Sequence, residues 1–425
     1  MKTEYTIGLL GCGVVGSEVA QLLGEKASLL KQRTGLKFSL KKIAVKDFGK
    51  KRSGKINKKF FTDDPYQVVN DPEIDIVVEL MGGLAPAGKL IRQAIQNGKH
   101  VVTANKALLA EEGKDLFQKA AQKKVRIGFE ASVAGAIPLL QAVSEGMIAN
   151  EIKAVYGILN GTCNYILSTM TDQGLSFEES LRQAKKLGFA EADPTMDIDG
   201  TDTAHKLSIL ATLCYGATFP IKRIYVEGIQ KISPIDISFV KRLGYRIKLL
   251  AICRQKGKGL ELRVHPTMIR EKHLLSTITG GFNAVYLIGD VAGETLFYGK
   301  GAGGRETASA VLSDIVAVAR DSSLPVFFQE GISALSIGDL NTEYYLRFSV
   351  IDRPGVLACI AGILGEHHIS INSVYQPDQE MGGKVPIAIM THESSEKDVQ
   401  EALKKIDRLK VVLEKTLLLR VEKFL

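Results

Sequence analysis

Residues 6–10 form a short apolar run that ends on Gly11-Cys12-Gly13-Val14-Val15-Gly16 and passes directly into an amphipathic stretch at 17–30. Strand, glycine turn and helix in that order leave few folds open. Gly11 permits the tight turn, Gly13 lets the main chain approach a pyrophosphate, and Gly16 lets the helix pack closely on the strand. Further units follow: strands at 39–45, 74–80 and 100–104, and a helix at 86–96. The pattern predicts a parallel, doubly wound α/β sheet that holds a dinucleotide. The bland alternative is the same glycine turn without a nucleotide, since a fold alone does not fix a function.

The end of the second strand reads Val45-Lys46-Asp47 and then Lys50-Lys51-Arg52. An NAD enzyme usually sets an acid against the ribose 2′-hydroxyl, whereas an NADP enzyme sets an Arg near the 2′-phosphate. Both signals are present. The basic residues outnumber the acid, which favours NADP through Lys46 and Arg52 and leaves NAD open, against a merely solvated basic loop.

A chain of 425 residues is too long for one core, so two or three domains are expected. With 45% hydrophobic and 24% charged residues, no apolar run of membrane-spanning length and no signal-peptide pattern at the start, a cytoplasmic globular protein without membrane partners is expected. The five cysteines, at 12, 163, 214, 253 and 359, form no Cys-x-x-Cys and suit reduced thiols. Much of the net charge of +8 lies in 41–59 without an aromatic or recognition-helix pattern, so a local phosphate explains it better than nucleic acid.

Three further segments carry chemistry. Thr103-Ala104-Asn105-Lys106 ends the fourth strand, and carboxyl ends of strands in open parallel sheets face the ligand crevice, which puts Lys106 beside the reactive end of a dinucleotide. The apolar turn 129–138 has a single carboxylate, Glu130, and many main-chain carbonyls, a donor set for a weakly held hard cation rather than zinc. Residues 188–207 crowd carboxylates at 191, 193, 197, 199 and 202 ahead of Lys206. Such crowding asks for a cation: a substrate ammonium, a metal, or the protein's own lysines. Calcium fails, because Gly200 as the sixth residue of an EF-hand loop puts Lys206 where a bidentate Glu is required. An acidic turn capping a helix, with Asp202 and Lys206 as a surface i, i+4 pair, is the bland reading.

The fingerprint at 11–16, Thr-Ala-Asn-Lys at 103–106, Glu-Ala-Ser-Val-Ala-Gly at 130–135, Gly-Ile-Leu-Asn-Gly-Thr-Cys-Asn-Tyr at 157–165 and the acidic run from Glu191 to Lys206 together resemble homoserine dehydrogenase, in the same order over nearly the whole chain. The resemblance implies NAD(P)-dependent interconversion of L-homoserine and L-aspartate 4-semialdehyde by a homodimer or tetramer. It implies catalytic roles for Lys106 and Lys206, a supporting role for Asp202 and substrate binding by Glu191. Gly161 and Thr162 open a helix whose main-chain N–H groups would take the substrate carboxylate. Coenzyme contacts are implied at Gly11, Cys12, Gly13, Val14, Val15, Gly16, Thr103, Lys106 and Gly303, and sodium contacts at Glu130, Val133, Gly135 and Ile137. Where the family usually has a proline after its second glycine run, this chain has Arg305-Glu306.

The expected fold class is α/β: a Rossmann-type nucleotide domain over 1–131, completed by about 301–322, then an α+β substrate and dimerisation domain over 132–300. Residues 323–343 read as a linker, and 344–425 as a C-terminal βαββαβ domain that resembles an ACT domain, with Asp352-Arg353-Pro354-Gly355-Val356 as a turn and Asn372 on its second strand. The resemblance implies an amino-acid effector, threonine, near Asp352, Gly355, Val356 and Asn372, with a purely dimerising module as the alternative. Cutting the chain after about Asp339 is then expected to give an active, threonine-insensitive enzyme. Two other classes stay open: a nucleotide-sensing regulator without turnover, and a dehydrogenase for another amino-acid semialdehyde, which would differ in the acidic cluster.

Overall fold

The computed structural model describes residues 2–52, 56–321, 326–376 and 384–425. The chain forms two compact units, the first comprising Met1–Lys153, His205–Arg223 and Asn283–Ile332, the second Ala154–Ala204, Ile224–Phe282 and Ser333–Leu425.

In the first unit, strands β1 (Glu4–Leu10), β2 (Lys37–Ala44), β3 (Phe61–Thr62), β4 (Ile76–Glu79), β5 (His100–Thr103) and β6 (Ile127–Gly128) lie in the order β3-β2-β1-β4-β5-β6. Neighbours in this sheet are parallel. The order reverses at β1, which opens a crevice at the carboxyl end of that strand, where Gly11 stands. Alternation along β1 sends Ile7 and Leu9 into one core and Leu10 into the other. Val14–Glu25 and Gly304–Ala319 cover the first face, contributing Val19, Leu22, Val311 and Ile315, while Ala87–Gln96 and Lys106–Gln122 cover the second with Leu90, Ile91, Leu108 and Leu116. The single helix expected at 17–30 is two, Val14–Glu25 and Ala27–Thr34. Lys26 leaves helical geometry at φ −101°, ψ 4°, and the second helix has no fully buried residue, Leu30 alone packing in part against the core.

In the second unit the strands Ile152–Ile158, Tyr245–Lys256, Gly259–Arg270, Leu417–Val421, Tyr344–Val350, Val385–Thr391 and Ile371–Tyr375 are neighbours in that order. The C-terminal βαββαβ domain is therefore no separate bead: its last strand pairs in parallel with Gly259–Arg270 through Thr267 with Arg420 and Met268 with Val421. Its own core joins Tyr344, Leu346 and Phe348 to Ile360, Leu364, Val399, Leu403 and Ile406 from helices Val356–Glu366 and Glu396–Ile406. Within the stretch read as a linker, Ser333–Ala334 pairs with Gly259 and Leu260, and Asn341–Thr342 with Ser394–Ser395. Short two-residue strands have no periodicity to read, which is why the sequence looks structureless there. The last strand is Leu417–Val421, and Val412 makes an isolated bridge to Val350.

Candidate active site

At the end of β1, Gly11 has φ +99°, and a Cβ there would lie 2.8 Å from the carbonyl oxygen of Leu80, so the turn demands glycine. A Cβ on Gly16 would strike the Gly11 carbonyl oxygen, and one on Gly304 would come within 2.8 Å of Val14 Cγ1. Gly13 differs: no described atom lies within 4 Å of the place its Cβ would take. It is the N-cap of Val14–Glu25, with no side-chain cap among the described residues, and Val14 is 73% exposed. A helix whose first N–H groups have no side-chain cap, fronted by open space, fits a pyrophosphate. Cys12 is buried with its thiol 3.6 Å from Ser17 Oγ. Arg52 reaches this turn by donating from Nε to the Cys12 carbonyl oxygen (3.2 Å), while its other nitrogens donate to the carbonyls of Lys50 and Asp47 and its guanidinium lies over the Phe61 ring. Lys46 is exposed at the end of β2. Gly303 is the N-cap of Gly304–Ala319, which Arg305 joins to Val14–Glu25 by pairing with Glu18 (3.5 Å) and Glu25 (2.5 Å). Arg305 thus ties together the two helices that bear the two glycine runs.

Lys106 is the first residue of Lys106–Gln122, and the Asn105 side chain caps that helix by accepting from the Leu108 N–H at 3.2 Å. Thr103 is wholly buried and donates from Oγ1 to Glu79 Oε2 at 2.7 Å, while its oxygen accepts from the Asn105 N–H at 3.0 Å. Glu79, also wholly buried, accepts from the N–H groups of Met81 (2.7 Å) and Gly82 (3.0 Å). The Thr103 side chain therefore fixes the strand end from which Lys106 emerges. Glu79 and Asn105 escaped the sequence reading. The register that sets Glu79 opposite Thr103 in β4 and β5 is the signal that could have found Glu79.

The cation turn is built differently from the bare donor count. Glu130 is 6% exposed, and its carboxylate accepts from the N–H groups of Leu140 and Gln141, each at 2.8 Å. Burial pushes its carboxyl above the usual range. Gly135 has φ +55°, and a Cβ there would lie 2.5 Å from the Gly301 carbonyl oxygen; Val133 and Ile137 are buried. Asp314, which the sequence reading missed, accepts from the N–H groups of Glu130 and Ala131, and burial followed by the Glu130 charge pushes its carboxyl well above the ordinary value. Its Oδ2 is buried without a hydrogen-bond partner among the described residues. Main-chain carbonyl oxygens of such a turn are the donor type that a hard monovalent cation takes. The Glu130 side chain is committed to Leu140 and Gln141, and its carbonyl accepts from the Val133 N–H at 3.3 Å. Among the described residues no three His, Cys, Asp or Glu side chains form a metal group.

In the second unit the crowded carboxylates divide their work. Asp193 accepts from the Thr195 N–H (3.1 Å) and hydroxyl (2.6 Å), and Asp199 from the Thr201 N–H (2.8 Å) at the start of Thr201–Tyr215. Asp199 thus acts as the bland capping reading has it, while Asp193 serves the turn at Thr195 instead. Asp197 and Asp202 do neither: Asn160 Nδ2 donates to Asp197 Oδ1 at 2.7 Å and to Asp202 Oδ2 at 2.9 Å, and the Thr162 hydroxyl lies 3.2 Å from Asp197 Oδ2. Asp202 is 6% exposed and stands one helical turn ahead of Lys206 on Thr201–Tyr215. Gly161 opens Gly161–Gln173, and a Cβ there would meet the Gly281 carbonyl oxygen at 2.7 Å. Glu191 is exposed.

Beneath that helix Lys248 is 3% exposed and donates to Asn164 Oδ1 at 3.0 Å and to the Ile278 carbonyl. Desolvation, then Arg246, lowers its ammonium from 10.5 to about 8. Between those values the unfolded chain binds more protons than the folded one, so this group makes stability rise with pH across the window and destabilises the fold below it. Lys248→Met should flatten that rise when denaturant midpoints are compared from about pH 8 to about pH 10; parallel curves for both proteins would remove Lys248 as the cause.

A Rossmann sheet with an open glycine turn, a lysine at the strand end and a C-terminal βαββαβ domain is the build of a nicotinamide-dependent oxidoreductase. The comparisons are specific. The NAD-binding domain of homoserine dehydrogenase matches residues 11–130, the homoserine dehydrogenase domain 138–316 and the ACT domain 344–411. Homoserine dehydrogenase of Helicobacter pylori is 44% identical over 99% of this chain and 100% of its own, and that of Neisseria gonorrhoeae 41% identical over 98% of each. A crystal structure of a homoserine dehydrogenase from Thiobacillus denitrificans superposes with a TM-score of 0.90 at 43% identity, covering 99% of this chain and 98% of that one. A hyperthermophilic archaeal homoserine dehydrogenase in complex with NADPH gives 0.65 at 25% identity, covering 76% of this chain and 99% of that one. The chain belongs to the homoserine dehydrogenase family and is an oxidoreductase of that activity, using a nicotinamide cofactor. No helix among the described residues is long and apolar enough to cross a membrane.

Proposed function

We propose that the chain interconverts L-homoserine and L-aspartate 4-semialdehyde with NADP as the preferred coenzyme, on the route to threonine, methionine and isoleucine. The observation that carries the site assignment is the buried Asp202 one turn ahead of Lys206. When bound, the nicotinamide supplies a two-electron acceptor for the carbon that bears the hydroxyl. Gly11, Cys12, Gly13, Val14, Val15, Gly16, Thr103 and Gly303 would line its site. Lys106 and Lys206 take the hydroxyl proton in oxidation and return it in reduction. Glu191 takes the substrate ammonium, Asp202 orients Lys206, and the N–H groups of Gly161 and Thr162 take the substrate carboxylate. Sodium in the turn of Glu130, Val133, Gly135 and Ile137 would brace the loop, and a homodimer or tetramer is the working assembly.

NADP is favoured because Arg52 and Lys46 follow β2 and because the archaeal relative was solved with NADPH. Homoserine oxidation should run with lower KM on NADP than on NAD. Arg52→Ala should weaken both coenzymes, because it releases the Cys12 carbonyl, but NADP more, by about 1.5–3 kcal/mol, the usual value of a charge-assisted contact. An equal loss on both would mean that Arg52 only braces the turn. For the ACT domain the proposed effector is threonine, held near Asp352, Gly355, Val356 and Asn372. Gly355 caps Val356–Glu366, and Asn372 is the exposed residue at which the pairing of Ile371–Tyr375 with Val385–Thr391 slips register. Threonine added to the same assay should inhibit.

A further inference from the structure

We propose that Asn160 is a positioning residue of the reaction: its side-chain amide clamps Asp197 and Asp202 together and so fixes the carboxylate one turn ahead of Lys206. The inference rests on the reading that places Asp202 and Lys206 in the active site. Asn160 is 4% exposed, and each end of its amide is committed. Oδ1 accepts from the Cys163 N–H at 2.8 Å and caps Gly161–Gln173, while Nδ2 donates to Asp197 at 2.7 Å and to Asp202 at 2.9 Å. The opposite orientation would turn the amide oxygen on two carboxylates and its N–H groups on a backbone N–H, so the network admits one arrangement. The Asp197 carbonyl accepts from Cys163 Sγ at 3.1 Å, and the Thr162 hydroxyl, which donates to the Phe189 carbonyl at 2.6 Å, lies 3.2 Å from Asp197 Oδ2.

Two carboxylates brought to one donor repel each other, and Asn160 is the neutral group that can face both without adding charge. A serine would keep a capping oxygen but not span both acids. An aspartate would keep the cap and the shape but replace the bridging N–H groups by a third carboxylate. That difference separates the structural role from the functional one. Capping alone predicts that Asn160→Asp behaves as the parent, because Asn and Asp are equivalent caps.

The test is steady-state kinetics of homoserine oxidation across pH for Asn160→Asp, Asn160→Ser and Asp202→Asn, with melting temperatures and coenzyme affinity alongside. Asn160→Asp is expected to lose roughly 10²-fold in kcat/KM at neutral pH and to move the acid limb of its pH profile upward, because three carboxyls cannot all stay ionised at one place. Asn160→Ser is expected to lose about 10-fold, mainly in kcat, with the acid limb unmoved. Coenzyme affinity should not change in either. An Asn160→Asp enzyme with the parent's kcat/KM and acid limb overturns the inference, as does a loss that follows melting temperature alone in both variants. If Asp202→Asn is fully active, the site reading falls and this inference with it; if Asp202→Asn is impaired while Asn160→Asp is normal, only the inference falls.

Discussion

Lys206→Ala and Lys106→Ala should each lower kcat by roughly 10²-fold or more while leaving coenzyme affinity nearly unchanged, the usual consequence of losing general acid–base help. The supports of both lysines survive truncation of their side chains. Lys106 starts a helix capped by Asn105 and anchored through Thr103 to the buried Glu79, none of which depends on an ammonium at 106. Lys206 sits in Thr201–Tyr215 among Thr203, Ala204, Leu207 and Leu210, all fully buried, so packing of that helix holds its backbone without the lysine. The lost activity would therefore report on chemistry rather than on folding. Turnover kinetics with coenzyme titration decide it, and near-normal kcat in either variant removes that lysine from the proposed mechanism.

The nucleotide fold was legible because its signals are local: an apolar run, glycines where φ or space demands them, and a helix directly after. What escaped has a common cause. β3 is two residues long, and Ser333–Ala334 and Asn341–Thr342 are equally short, so no window contains a period. Among candidate site residues, the sequence reading assigned roles to the charged residues of its motifs and gave none to several buried groups that hold them. Lys106, Glu130, Asp202 and Lys206 stand out as titratable residues in motifs. Asn160, Glu79 and Asp314 owe their roles to partners far off in the chain, Asp202, Thr103 and Glu130, whereas the Asn105 cap on the Leu108 N–H is local. The crowded acids of 188–207 were read as one cluster, yet two cap local turns and two share one amide. Charge density alone cannot make that division, because it depends on which acids face the helix that starts at Gly161.

The second large effect corrects the expectation that the ACT domain can be removed cleanly. Ending the chain after Asp339 deletes Leu417–Val421 from beside Gly259–Arg270 and bares that strand's edge at Thr267 and Met268. It also removes Glu422 from Arg263, a pair 2.7 Å apart and almost wholly buried, and removes Arg347 and the Tyr345 hydroxyl from the wholly buried Asp236. The truncated chain should therefore aggregate, or melt about 10 °C or more below the full chain, since breaking a buried pair costs about 3–5 kcal/mol. A milder version is Arg420→Met, which leaves Glu396 buried without the guanidinium that lies 2.5 Å away and should lower stability by a similar amount with the domain still present. The same strands give the proposed threonine signal a route, because Tyr344–Val350, Leu417–Val421, Gly259–Arg270, Tyr245–Lys256 and Ile152–Ile158 are successive neighbours and the last of them runs into Asn160. Arg420→Met should then bind threonine by calorimetry yet respond to it less in the assay. A truncated enzyme as stable as the full chain would show that these strands only touch, and would return the domain to the status of a detachable module.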